Sequence, residues 1–301
     1  MQHVIAQLRE AGISGLKENV RLAEYTTLRI GGPCDLLIIP EHRDELVAAL
    51  RILRENKVPW VQLGRGSNML VSDKGIRGAV IKLGKAFEHY RFEGELAVAG
   101  GAVSFVKLSV MAAKQGLTGL EFAGGIPGTV GGAVYMNAGA HGSDVSRVLQ
   151  SAEVVLETGE LALWDVNDLQ FGYRHSRLQE QPGIVTEAVF RLRKGDRKEI
   201  AASMATFKDR RRKTQPLQMA CAGSVFRNPE GTYAAKLIEE AGLKGLRHGG
   251  AQVSTQHANF IVNTGNATAQ DVLALMDQIQ TAVYEKFGIR LVPEVLLMGE
   301  R

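Results

Sequence analysis

Hydrophobic positions along this chain switch repeatedly between a strand-like period of two and a helix-like period near 3.6, and the switches mark out its elements. Short apolar runs bounded by turn residues predict strands at 36–39, 60–63, 79–83 and 96–99. Among them, Leu46, Val47, Leu50 and Leu53 form one stripe of a helix over 44–56. A second helix, 104–115, begins at a serine suited to capping and stops at Gly116. From 151 to 193 the pattern turns to β, with runs at 152–156, 161–164 and 184–192 and a turn at Thr158-Gly159. A long polar helix is predicted over 197–213, ending before Thr214-Gln215-Pro216. The remainder alternates: a Gly-rich loop at 221–231, a helix at 233–241, a strand at 260–262, a helix at 268–287 and a final strand at 292–298. The change of character at Gly195-Asp196 reads as a domain boundary.

Composition narrows the class. With 301 residues, 45% of them hydrophobic, the chain is long enough for two or three domains with proper cores. No apolar run approaches the ~20 residues of a membrane span, and the first sixteen residues are broken by Gln, Arg, Glu and Gly, so a cytoplasmic protein without a leader is expected. Cys34 and Cys221 are too few for a disulfide framework and are expected to be reduced and buried. The net charge of +4 fits anionic small molecules without demanding them.

Candidate chemistry then concentrates in a few segments. Residues 121–142 hold seven glycines interleaved with Ile126, Val130, Val134 and Met136, the composition of a structured loop rather than a linker. Such density suggests backbone lying against a ligand. The run Gly64-Arg65-Gly66-Ser67-Asn68 follows a predicted strand but lacks the last glycine of the dinucleotide fingerprint, and no P-loop sequence occurs. Two such loops could still hold a pyrophosphate through backbone amides alone. The seven histidines show no metal-ligand spacing, so no metal is expected, and Ser224 lacks the closing glycine of a hydrolase elbow. The cluster from Lys208 to Lys213 reads as a solvated helix end complementing the macrodipole, with no aromatic interleaving to suggest nucleic acid. Arg174 alone would pass as a surface residue. Glu294, in an apolar strand pattern, calls for a partner or a shifted pKa.

Taken in order, Thr27 to Gly32, Gly64 to Asn68, Gly119 to Gly142, Gly223 to Pro229, His248 to Ala251 and Pro293-Glu294-Val295 make the chain resemble the UDP-N-acetylenolpyruvoylglucosamine reductases over nearly its whole length. The resemblance implies an α+β fold: a two-part FAD-binding domain of the vanillyl-alcohol oxidase and p-cresol methylhydroxylase type, then an α+β substrate-binding domain. The domains would be 1–195, with lobes of 1–90 and 91–195, and 196–301. The chain looks like the shorter subclass, without the tyrosine-bearing loop of the longer one.

The same resemblance implies non-covalent FAD, NADPH as co-substrate, a UDP-sugar substrate, and a place in peptidoglycan precursor synthesis. Arg174 would pair with the substrate carboxylate, Ser224 would be the proton donor, and Glu294 would stabilise the enolate-like charge. Cofactor contacts would come from Arg29, Gly31, Gly64, Arg65, Gly66, Ser67, Asn68, Gly124, Gly125, Ile126, Pro127, Gly128, Thr129, Gly131, Gly132, Asn137 and Gly139. Lys213, Asn228 and His257 would touch substrate, with Lys236 and Asn259 either structural or functional. Neither nucleic acid nor membrane insertion is expected. The competing expectation is an FAD-dependent alcohol or sugar oxidase on the same flavin domain.

Overall fold

The computed structural model describes residues 1–300. Two compact units form. The first comprises residues 1–18, 36–64 and 78–210; the second comprises 19–35, 65–77 and the chain from 211 onward. The chain changes character at Gly195-Asp196, where a strand gives way to a helix, but the units divide at 210/211 and the second also takes in two early segments. Its hydrophobic core supplies the reason: Leu28, Ile30 and Leu70 pack with Phe226, Leu275 and Val295.

In the first unit, one core lies between α1 (Gln2–Glu10), α2 (Arg43–Glu55) and short strands. Val4, Ile5 and Leu8 of α1 and Leu46, Ala49, Leu50 and Leu53 of α2 are buried there, the one-turn spacing that an amphipathic helix needs. Beside them, Trp60–Gln62 runs parallel to the strand residues Ala79 to Ile81. A second core is built on a five-stranded antiparallel sheet in the order Leu161–Asp165, Leu149–Leu156, Gly183–Arg191, Leu96–Gly100, Tyr90–Glu93. Against it pack α3 (Phe105–Lys114), capped by the Ser104 hydroxyl as its sequence predicts, and α4 (Val130–Tyr135). Phe105 anchors the packing, with the rings of Phe122 and Phe190 each 6.0 Å away.

Helix α4 lies within the glycine run, where the sequence suggests only a structured loop. Two glycines in six residues oppose helix formation, but Thr129 caps the Gly132 N–H and the helix buries Val130, Ala133 and Val134, so tertiary packing prevails over propensity. The chain then reaches α5 (Arg197–Thr214), a long polar helix with Ile200 as its one buried residue.

In the second unit, α6 (Ala234–Glu240) and α7 (Ala269–Phe287) cover a four-stranded antiparallel sheet ordered Ala220–Cys221, Ile261–Asn263, Ala251–Val253, Arg247–His248. A capping box of Thr268 and Asp271 starts α7, the Asp73 carboxylate accepts the N–H groups of Ala269 and Gln270, and Gly288 at φ +69° ends it.

Two expectations are corrected. The final strand spans only Leu296–Met298, paired in parallel with Met69–Val71; Pro293 has no N–H to continue a ladder and makes an isolated bridge with Phe226. Cys34 is buried but Cys221 is only half-buried, at the end of an edge strand.

Candidate active site

The first unit presents Arg174 on a turn. Gly172 and His175 exchange both backbone hydrogen bonds, at 3.1 and 3.2 Å, leaving Tyr173 and Arg174 as the two residues of the tip. Arg174 sits at φ +56°, a left-handed conformation that costs a non-glycine residue about 1–2 kcal/mol. Strain of this kind persists where surrounding contacts over-determine it. Here, Arg174 Nη2 donates to the Gly139 carbonyl at 2.8 Å, Gln179 donates to the Arg174 carbonyl at 3.1 Å, and the Tyr173 ring lies 5.1 Å from the guanidinium. The half-buried guanidinium is thus aimed by the backbone of the glycine run.

That run also meets Gly64. A Cβ on Gly64 would stand 2.8 Å from the Thr129 hydroxyl, and one on Gly131 would stand 3.2 Å from the Gly101 carbonyl. These glycines therefore serve close packing within the protein. Gly132 and Gly142 differ: an added Cβ would meet only the Thr129 hydroxyl at 3.4 Å in the first case, and nothing within 4 Å in the second. At those positions the backbone is bare toward open space, a surface that a flat cofactor can approach. Gly124, Gly125, Ile126 and Gly128 are half-buried and Pro127 is exposed. The buried Asn137 amide donates to the Gly172 carbonyl and accepts from Ser146 N–H, so its side chain braces the Arg174 turn and any cofactor contact there runs through the main chain.

In the second unit, Ser224 and Glu294 are brought onto adjoining backbones. The Val225 carbonyl accepts the N–H of Glu294 at 2.7 Å and that of Val295 at 3.4 Å, while Arg227 N–H reaches the Val292 carbonyl at 2.8 Å. From the other side Asn259, 4% exposed, acts as a strand substitute. Its carbonyl accepts Val225 N–H, its Oδ1 accepts Phe226 N–H at 3.0 Å, and its Nδ2 donates to the Phe226 carbonyl at 2.8 Å. Asn68 joins the same framework, donating to the Glu294 carbonyl at 3.1 Å and accepting Leu296 N–H at 3.0 Å. Ser224 and Glu294 are both half-buried, and Glu294 lies outside the final strand, not inside an apolar strand as its pattern suggests.

Asn259 therefore has the strongest structural claim in this region, although its sequence context, His257-Ala258-Asn259-Phe260, leaves its role open. A polar amide in an apolar run is its only signal. Gly66, at φ +61° with its Cβ position against the Tyr25 carbonyl, packs against the turn that holds Arg29. Arg29, at φ +57°, and Arg65 are exposed, while Gly31 and Ser67 are half-buried.

The substrate candidates are less concentrated. Asn228 is exposed and its Oδ1 accepts Ala234 N–H at the start of α6. Lys213 is exposed in the last turn of α5, where its carbonyl accepts from the Gln256 amide. His257 leans on Phe260 with ring centroids 4.6 Å apart and accepts Asn259 N–H at Nδ1. Burial pushes its pKa down, helped by the Lys244 charge, so it is held as a neutral imidazole. Lys236 pairs with Glu240 at 3.8 Å on the exposed face of α6.

Burial raises the Cys221 thiol, which keeps it protonated. Among the described residues, no group of three or more His, Cys, Asp or Glu is arranged to hold a metal, and no helix is long and apolar enough to cross a membrane.

Residues 34–163 match the FAD binding domain and residues 215–298 match the UDP-N-acetylenolpyruvoylglucosamine reductase C-terminal domain. The UDP-N-acetylenolpyruvoylglucosamine reductase of Anoxybacillus flavithermus is 49% identical over 302 residues, covering 100% of both chains, and that of Bacillus subtilis is 47% identical over 99% of both. The crystal structure of the Thermus caldophilus reductase superposes with a TM-score of 0.81 at 41% identity, covering 92% of this chain and 97% of that one. A berberine bridge enzyme variant, at 13% identity and a TM-score of 0.51 over 64% of this chain and 44% of its own, shares the fold alone. The α+β fold with an FAD domain of the vanillyl-alcohol oxidase type is thereby established, and the chain belongs to the UDP-N-acetylenolpyruvoylglucosamine reductase family.

Proposed function

We infer that the chain reduces the enolpyruvyl ether of UDP-N-acetylglucosamine to UDP-N-acetylmuramate, with residues 1–195 serving FAD and 196–301 serving the sugar nucleotide. FAD, held by Gly64 to Asn68 and the glycine run, would supply hydride chemistry for C3 of the enol ether, with NADPH as the source of its electrons. The chain's own residues handle the charge and the proton. Addition at C3 leaves an electron pair on C2, delocalised into the adjacent carboxylate. Arg174 binds that carboxylate with a planar, permanently charged fork, and Glu294 stabilises the enolate-like charge through the hydrogen-bonding surroundings of the carboxylate. Ser224 delivers its hydroxyl proton to C2, forming the new C–H bond, and recovers a proton from solvent. An alcohol is a weak acid, so it acts only toward a strongly basic carbon and only when held in line.

The observation that carries this reading is the Val225 carbonyl taking the N–H groups of Glu294 and Val295, which fixes Ser224 and Glu294 on neighbouring backbones. Gly64 to Asn68, Arg29, Gly31 and the glycine run to Gly139 serve the cofactor in this reading, and Lys213, Asn228 and His257 serve the nucleotide. Stopped-flow absorbance tests it. Ser224→Ala should leave flavin bleaching by NADPH intact and slow reoxidation by the enolpyruvyl sugar by about 10²- to 10⁴-fold. Normal reoxidation in Ser224→Ala would remove the serine from the proton-donor role, and oxygen uptake with a simple sugar would favour an oxidase.

A further inference from the structure

The contact that aims Arg174 is itself held from outside. Gly139 opens a minimal hairpin, Gly139–Ala140 with Ser143–Asp144, and its carbonyl is the one that receives Arg174 Nη2. Two residues per strand cannot fix such a hairpin in water, so something else must. At its tip His141, at φ +54°, lays its ring flat on that of Phe207 in α5, with centroids 4.0 Å apart and planes 2° apart. One turn earlier on α5, the Met204 terminal methyl lies 3.2 Å from where a Cβ on Gly124 would stand.

Ile200, Met204 and Phe207 are spaced four and three residues apart, which makes one stripe of large apolar side chains on a helix whose other positions are polar or alanine. The last two members of that stripe touch the glycine run rather than fill a core: both Met204 and Phe207 remain half-exposed. An aromatic pair of this geometry is a specific contact in its own right.

We propose that His141 and Phe207 are positioning residues that hold the Gly139 hairpin in place, and through it orient Arg174 for the substrate's carboxylate. The proposal rests on the assignment of Arg174 to that carboxylate. A guanidinium carries its donors in a rigid fork, so a carbonyl fixed on one Nη sets the direction of the whole group. With the ring contact gone, the hairpin and the guanidinium regain alternative conformations, and only ligands bearing a carboxylate are affected.

Calorimetry on the FAD-loaded protein separates this from general destabilisation, using two ligands: the enolpyruvyl substrate, and UDP-N-acetylglucosamine, which has no carboxylate. His141→Ala and Phe207→Ala should each weaken the first by about five- to tenfold and the second by less than about twofold. The double variant should be no worse than either single one, and His141→Tyr, which keeps a ring, should stay within about twofold of the parent. Equal losses for both ligands, additive losses in the double variant, a His141→Tyr as weak as His141→Ala, or unchanged single variants would each overturn the proposal. Arg174→Lys measured alongside separates the two layers. If it leaves the ratio of the two affinities unchanged, the assignment of Arg174 fails and the latch with it; if it collapses the ratio while the alanine variants do not, only the latch fails.

Discussion

Arg174 and Ser224 are held by opposite means. Arg174 stands on a strained two-residue turn in the first unit, aimed by a carbonyl from a small hairpin and by half-buried rings. Ser224 stands in the second unit beside a segment whose backbone is paired on both flanks, by Asn259 and by residues 292–295, against a buried core. The difference teaches where stability and function coincide. A permanently charged group can be mounted on a turn provided that one contact fixes the direction of its fork; a weak acid that must meet one carbon needs a frame paired along its whole backbone.

The largest expected effect breaks the frame. Asn259→Ala leaves the Phe226 N–H and carbonyl without their side-chain partners, and each buried orphan costs about 1–3 kcal/mol. Urea unfolding should show the full loss, with reoxidation by substrate impaired in whatever folded protein remains. A variant as stable as the parent would remove Asn259 from this role.

Arg174→Lys probes the other mounting. Substrate affinity should fall by about tenfold to a hundredfold, as expected for losing a bidentate charge-assisted pair, while the thermal midpoint stays put. A midpoint that drops instead would make Arg174 a structural residue.

Within the glycine run, Gly131→Ala should be net destabilising by up to about 2 kcal/mol, because its methyl crowds the backbone carbonyls of Gly101 and Val185, at 3.2 and 3.3 Å, by more than the ~1 kcal/mol that alanine gains in helix propensity. FAD retention during unfolding would follow that loss, and an unchanged midpoint would show that the loop yields. The smallest effect is a pH slope. His257 has its pKa depressed by burial, so its neutral form contributes stability that is full above the ordinary value of about 6.5 and is lost as pH falls below it. Thermal midpoints from pH 7 to 5 should therefore fall less steeply in His257→Gln than in the parent, and parallel slopes would contradict the burial of a neutral imidazole.

Much of this architecture is legible in the chain. The stripe Leu46, Leu50, Leu53 predicts α2 to within a residue at each end, and Ser104 and Thr268 cap helices as their types suggest. The serine motif at 223–229 and the Pro293-Glu294-Val295 motif are visible as sequences, but their pairing is not, because about sixty residues and three strands of the sheet intervene. Helix α4 is hidden for a different reason: Val130 to Tyr135 has poor helix propensity, and the Thr129 cap with the buried Val130, Ala133 and Val134 holds it. Glycine density, too, has a double meaning that letters do not separate. Gly64 and Gly131 yield space to neighbouring protein, whereas Gly132 and Gly142 face open space.

The shared carbonyl of Val225 carries a consequence for how such a chain tolerates change in length. Residues between Pro229 and Leu291 contain turns at Gly231, Gly242 and Gly265, and insertions at those turns leave the paired flanks intact. A single residue added between Ser224 and Arg227, or between Val292 and Leu296, slips one backbone against the other. Such a slip turns alternate side chains to the opposite face, so the hydroxyl or the carboxylate would point into the hydrophobic core while every residue of the motif remained present.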